Sequence, residues 1–197
     1  MKATAGRSSV SILIPARNEA RSLALLVPQL RQCCTATEII VVDDGSTDDT
    51  AEVARRLGAK VVRHPYGMGN GAAIKTASRT ATGDIFVFLD ADGQHGADEI
   101  PRLLEELDKG YDMVIGARTF SGQASVGRGI ANTIYNKLAS WMVGHRVLDL
   151  TSGFRAVRAE KFRKFLYLLP NGFSYPTTIT MAFFRVGYTV RYIPIQV

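Results

Sequence analysis

IFVFLDADGQH, residues 85–95, is the stretch that decides how this chain folds. Five apolar residues, Ile85 through Leu89, run without interruption into Asp90-Ala91-Asp92-Gly93-Gln94-His95. A short apolar run bounded by turn residues predicts a strand buried on both faces. A buried strand has no interior place for two carboxylates, so Asp90 and Asp92 are expected at its carboxyl end. In an open α/β sheet that edge is where ligands bind. Two residues apart, the pair would point the same way on an unbroken strand, and Gly93 lets the chain turn directly afterwards. With the amide oxygen of Gln94 they make an all-oxygen donor set, which suits Mg²⁺ or Mn²⁺ rather than zinc. Such an ion completes its shell with phosphates, so the local chemistry reads as a divalent-metal diphosphate site. The plainer reading is a strand running into a turn built of Asp and Gly. The flanking sequence decides between them.

Upstream, Val10–Ile14 predicts a strand closed by Pro15, followed by a helical pattern from Asn18-Glu19 through Arg31. Pro28 inside that pattern predicts a kink or break. Glu38–Val42 predicts a second strand, with Asp43 and Asp44 at its carboxyl end as Asp90 is at the central one. Ser46 or Thr47 is expected to cap a helix through Arg56, with Asp48 and Asp49 structural in its first turn. Ala59–Arg63 predicts a third strand. Gly67-Met68-Gly69-Asn70-Gly71 then leads into a helix over residues 72–81. The GxxxxGK[ST] spacing is absent, so these glycines are expected to serve close backbone packing rather than a phosphate cradle.

Downstream, a helix over Asp98–Leu107 tolerates Pro101 in its first turn, and Asp112–Gly116 is a strand leading to Ala117-Arg118. Residues 119–129 are rich in Gly and Ser and include Arg128; residues 130–143 are amphipathic. Asp149–Arg155 is a polar turn entering a short strand, followed by helices over residues 160–169 and 177–186 and a last strand over 188–195. Strands alternating with helices predict an α/β domain whose central sheet is mostly parallel and flanked by helices.

A chain of 197 residues with 46% apolar and 21% charged residues fits one globular domain. No apolar run approaches the ~20 residues that span a bilayer, and MKATAGRSS lacks the apolar core of an export leader. Cys33 and Cys34, adjacent and the only cysteines, form neither a disulfide framework nor a zinc site. The expected location is cytoplasmic, either free or peripheral at the cytoplasmic face of the membrane. The net charge of +6 is unevenly spread: residues 1–98 hold 11 Lys/Arg and 11 Asp/Glu, and residues 99–197 hold the other 13 and 7. A basic second half can attract phosphates or an anionic surface. It carries no nucleic-acid-binding motif, so nucleic acid is not an expected partner.

Seven pieces, in order, cover nearly the whole chain: IPARNE (Ile14–Glu19), VVDDGSTDDT (Val41–Thr50), GNGAAI (Gly69–Ile74), DADGQH (Asp90–His95), GAR (Gly116–Arg118), DLTSGFRAVR (Asp149–Arg158) and GFSYPTTIT (Gly172–Thr180). Together they resemble family 2 glycosyltransferases of the GT-A fold. The last two favour the polyprenyl-phosphate branch, similar to dolichol-phosphate mannose synthases. The resemblance implies a single Rossmann-like catalytic domain over 1–197, its nucleotide-sugar half at 1–117 and its acceptor half at 118–197. It implies inverting transfer of a hexose, mannose or glucose, from a GDP- or UDP-linked sugar to a polyprenyl phosphate, with Mg²⁺ or Mn²⁺ as cofactor.

By the same resemblance, Pro15, Arg17, Glu19 and Asp44 line the base and ribose pocket. Asp90 contacts the nucleoside side, while Asp92 and Gln94 hold the metal. Arg118 and Arg128 receive the acceptor phosphate with help from Asn132, and Asp149 lies near the reacting centre. Two departures stand out. The family often has Tyr or Phe where Arg17 stands. It also continues past the last strand into a segment with an arginine and a Ser-Lys pair, where this sequence ends at Ile195-Gln196-Val197. The expectation is a trimmed catalytic domain, or one completed by a partner or a lipid surface.

A phosphate acceptor is already ionised near neutral pH, so positioning cations serve it better than a base, and guanidinium groups bind phosphate bidentately. The lipid tail could rest on the apolar faces of residues 130–143 and Phe162–Leu169, with Lys161, Arg163 and Lys164 beside the latter; the plainer expectation is that both faces are core, since amphipathic helices usually face one. Three rival readings remain. One is the same fold acting on a saccharide hydroxyl, with Asp149 as base. Another is a receiver-like signalling domain holding Mg²⁺ at Asp43-Asp44. The third is a sugar-nucleotide-binding domain without catalysis.

Overall fold

The computed structural model describes residues 8–33, 38–93, 96–118, 140, 144 and 147–195. The apolar runs become strands β1 (Val10–Ala16), β2 (Glu38–Asp43), β3 (Lys60–Arg63), β4 (Ile85–Phe88), β5 (Met113–Arg118), β6 (Arg155–Arg158) and β7 (Val190–Ile195). The helices are α1 (Ala20–Cys33), α2 (Thr50–Arg56), α3 (Asn70–Thr80), α4 (Ile100–Asp108), α5 (Ala159–Arg163) and α6 (Tyr175–Arg185). All seven strands join one sheet in the order β3-β2-β1-β4-β6-β5-β7. Every pairing is parallel except the two made by β6, which runs antiparallel to both β4 and β5. The domain is therefore α/β with a mostly parallel sheet.

Successive strand residues face opposite sides, and two core clusters result. On one face Ile12, Ile14, Val41, Val87 and Val114 meet Leu23, Val27 and Leu30 of α1 and Ile100, Leu103 and Leu107 of α4. On the other, Leu13, Ile40, Phe86, Phe88 and Ile115 meet Ala73, Ile74 and Ala77 of α3, Phe162 of α5 and Ile179 and Phe183 of α6.

Several boundaries differ from expectation for local reasons. β1 does not close at Pro15. The Leu13 carbonyl accepts from Leu89 N on the β4 side, while Ala16 O accepts from Asp44 N on the β2 side. By alternation Pro15 turns its missing N–H toward β4, which has already ended at Phe88, so no ladder bond is lost. α1 continues through Pro28 instead of breaking. The carbonyl deprived of a partner belongs to exposed Ala24, while buried Val27 and Leu30 hold the helix on the sheet.

Neither Ser46 nor Thr47 caps α2. Ser46 Oγ accepts from Asn18 N (2.9 Å), and the helix begins only at Thr50, where Asp48 accepts from Thr50 N (3.0 Å) and Ala20 N (3.3 Å). The helix expected over 160–169 stops at Arg163 and is followed by one 3-10 turn, Leu166–Leu168. Its apolar side is core: Phe162, Phe165 and Leu169 are buried. Lys161 pairs with Asp112, and Arg163 donates to Ala81 O (2.7 Å) and covers the Phe86 ring. That face is not available to a lipid tail. Among the described residues no helix is long and apolar enough to cross a membrane.

Candidate active site

The antiparallel course of β6 assembles the site. Phe88, at the carboxyl end of β4, pairs with Arg155, the first residue of β6, which also pairs with Ile115 of β5. The turn preceding β6, residues 149–154, therefore arrives at the same edge as the carboxyl ends of the parallel strands. Gly153 suits this approach: a Cβ there would lie 2.8 Å from Asp90 Oδ2 and push that carboxylate aside. Ser152 Oγ donates to Gly116 O (2.6 Å), tying the turn to β5.

At that edge lies a cleft of about 330 Å³ lined by residues that include Pro15, Arg17, Glu19, Asp44, Asp90 and Asp92. Every one of the residues expected in the nucleotide pocket is thus brought to one cavity, within the size range of small-ligand sites. Asp44 is the most constrained of them. Its carboxylate accepts from Met68 N (2.8 Å) and Gly69 N (2.8 Å) and meets His64 Nδ1 at 2.7 Å, with Thr76 Oγ1 on the other ring nitrogen of His64 (2.9 Å). Burial pushes the Asp44 carboxyl up, but these hydrogen bonds outweigh it and hold it below the ordinary range. Asp43 is fully buried, accepts from Ser46 N (2.8 Å) and has Arg63 Nε 3.2 Å away. With both acids built into the turn, the geometry does not favour a receiver-like Mg²⁺ pocket at Asp43-Asp44.

The glycines of GNGAAI serve close approach. α3 receives residues 170–172 across its first turn, with Gly71 N donating to Gly172 O and Ala72 N to Asn171 O, both 3.2 Å. A Cβ on Gly71 would lie 2.9 Å from Gly172 O and closer still to Pro170 O. Those helix N–H groups are spent on backbone carbonyls, not offered to phosphate.

β4 ends before the acidic pair, which occupies the turn Asp90–Gly93 rather than an unbroken strand. Burial first, and the charge of Asp92 second, raise the Asp90 carboxyl above its ordinary range; an Asn70 hydrogen bond and the charges of Arg155 and Arg118 pull it back. Asp92 is exposed at the cleft. Two carboxylates crowded at one place in the cleft fit a hard divalent cation. Among the described residues no group of three or more His, Cys, Asp or Glu is placed to hold a metal. Gln94 lies outside the described residues, as do Arg128 and Asn132.

Arg118, last residue of β5, is clasped by Asp149: Nε to Oδ2 at 2.9 Å and Nη2 to Oδ1 at 3.2 Å, with Nη2 also donating to Thr151 Oγ1 (2.8 Å). Asp149 further accepts from Thr151 N and Ser152 N. Burial works against the Asp149 charge, yet Arg118 wins and its carboxyl sits below the ordinary range. Behind this turn lies Arg155, wholly buried. It donates to Ser152 O, Pro176 O (3.3 Å) and Thr180 Oγ1 (3.1 Å), and meets Asp149 and Asp90 as charges rather than as hydrogen-bond partners. Its Nε has no hydrogen-bond partner among the described residues.

Sequence reasoning missed Arg155, His64 and Phe173, which also lines the cleft. Arg155 begins an apolar-flanked strand, which is a signal of burial. Nothing local marks His64 or Phe173.

Comparison with known proteins gives a consistent result. The family model described as "Glycosyl transferase family 2" matches residues 11–166. The chain is 29% identical to polyprenol monophosphomannose synthase of Mycolicibacterium smegmatis, over 93% of this chain and 75% of that protein. It is 36% identical to dolichol-phosphate mannosyltransferase of Pyrococcus furiosus, over 77% of this chain but only 46% of that one. Among solved structures, glucosyl-3-phosphoglycerate synthase from Mycobacterium tuberculosis, in complex with Mn²⁺, uridine diphosphate and glucosyl-3-phosphoglycerate, superposes with a TM-score of 0.79 at 24% identity, covering 97% of this chain and 71% of that one. At that identity it shows the shared fold.

Proposed function

Because the chain belongs to glycosyl transferase family 2, we propose that it is an inverting, metal-dependent transferase moving a hexose from a nucleotide diphosphate sugar to a polyprenyl phosphate. The relatives' names point to prenyl-phosphate acceptors. The observation that carries the choice of acceptor is the Arg118–Asp149 clasp. An Asp149 held below the ordinary carboxylate range and already accepting several hydrogen bonds is a poor base for a saccharide hydroxyl. As an orienter it serves well, fixing a guanidinium at the sheet edge for an acceptor that needs no deprotonation.

In this reading Pro15, Arg17, Glu19 and Asp44 line the base and ribose end, and Asp90 faces the nucleoside. Asp92 and Gln94 hold Mg²⁺ or Mn²⁺, which when bound neutralises the charge that develops on the departing diphosphate. Arg118, Arg128 and Asn132 seat the acceptor phosphate so that one of its oxygens faces the anomeric carbon opposite the leaving group. The acceptor's prenyl chain places the reaction at a membrane surface.

Radiolabelled UDP- and GDP-hexoses, offered with Mn²⁺ and either polyprenyl phosphate or an oligosaccharide, test this reading. Label in the lipid fraction, abolished by a chelator, is the expected result. Label only in the oligosaccharide would overturn the acceptor assignment, and undiminished transfer in chelator would overturn the metal.

A further inference from the structure

We infer that Phe173 is the aromatic surface against which the donor's planar base rests. This deepens the proposed function and rests on it. Phe173 lines the same cleft as Arg17, Asp44, Asp90 and Asp92, yet 84% of its surface is exposed. An exposed Phe is unremarkable alone; this one is held in place from both sides.

Before it, the segment is pinned to α3 by Gly71 N to Gly172 O and Ala72 N to Asn171 O, and by Lys75 Nζ to Leu169 O (3.0 Å) and to Asn171 Oδ1 (2.6 Å). After it, Tyr175 is buried against Phe88 at the start of α6. The glycines of GNGAAI exist to let this segment lie so close, and its one freely presented large side chain is Phe173.

The chemistry then sorts itself. In the proposed function Asp92 would hold the cation and, through it, the diphosphate, and an aromatic ring has nothing to offer a phosphate. A planar heterocycle is what it recognises, by stacking or edge contact worth most where water is excluded. Arg17 contributes a second planar group: its guanidinium lies against Gly67, where a Cβ would come within 2.8 Å of Arg17 Cζ. Guanidinium planes also stack on rings. Phe173 and Arg17 thus supply two flat faces in one cleft, and stacking of this kind tolerates either uracil or guanine.

The test compares wild type, F173A, F173L and F173W for binding of UDP and GDP with Mn²⁺, and of inorganic pyrophosphate with Mn²⁺, by calorimetry. F173A is expected to weaken both nucleotides about ten-fold and leave pyrophosphate unchanged, with F173W restoring nucleotide affinity and F173L not. Equal loss for nucleotide and pyrophosphate, or nucleotide binding indifferent to F173A, would overturn the inference alone. Wild-type protein that binds no nucleotide would overturn the transferase reading as well.

Discussion

Gly71→Ala probes the contact that shapes the cleft. In the native structure an added Cβ would lie 2.9 Å from Gly172 O and 3.1 Å from Asn171 C, and nearer again to Pro170 O. All three are backbone atoms, so no rotamer relieves the clash; residues 170–172 must withdraw. Withdrawal stretches Gly71 N to Gly172 O and Ala72 N to Asn171 O. Each such bond contributes about 0.5–1.5 kcal/mol net, and overpacking costs about 1–3 kcal/mol more. Against this stands the gain of about 1 kcal/mol for Ala over Gly in a helix. The balance is a destabilisation of about 1–5 kcal/mol, which for a chain of this size lowers the melting temperature by roughly 2–20 °C. Gly172→Ala is the control: a Cβ there meets nothing within 4 Å, so its effect should stay within about 0.5 kcal/mol. Urea and thermal denaturation of both variants measure the difference. G71A as stable as G172A would refute the idea that the glycines serve this approach.

Other outcomes follow from the same geometry. Asp149 has its carboxyl depressed below the ordinary 3.8, so its stabilising contribution is complete above that value and is lost as the pH falls through the lower folded one; Asp149→Asn should flatten this acid limb in urea titrations run from neutral pH to about pH 3. Arg155→Ala strips the donors from Ser152 O, Pro176 O and Thr180 Oγ1 and leaves a cavity; it should cost more than about 3 kcal/mol, while Arg155→Met, which refills the volume, should cost less by equilibrium denaturation. Asp92 is exposed, so Asp92→Asn should leave the melting temperature of the free protein within about 2 °C and abolish the extra stabilisation by sugar nucleotide with Mn²⁺ in a thermal-shift panel.

Much of this molecule is written locally. The run Ile85–Leu89 followed by Asp90-Ala91-Asp92-Gly93 announces a buried strand ending in an acidic turn, because only a strand edge can expose acids that its interior cannot hold. The same logic places Asp44 at the end of β2, and the missing GxxxxGK[ST] spacing makes close packing the expected role for the glycines of GNGAAI. The amphipathic faces of α1 and α4 are equally plain. What stays hidden is partnership at long range. The sequence marks Asp149–Arg155 as a turn entering a strand, but the direction and neighbours of that strand depend on β4 and β5 both leaving an edge for it. Antiparallel insertion of β6 alone carries Asp149 to Arg118 and Gly153 onto Asp90. The exposure of Phe173 at the cleft likewise follows from backbone bonds between residues a hundred positions apart in sequence. Periodicity and turn chemistry are read from neighbours along the chain, and so determine the elements and the acids at their ends. Which ends meet is settled by sheet order and close backbone contact, and these exist only once the chain has folded.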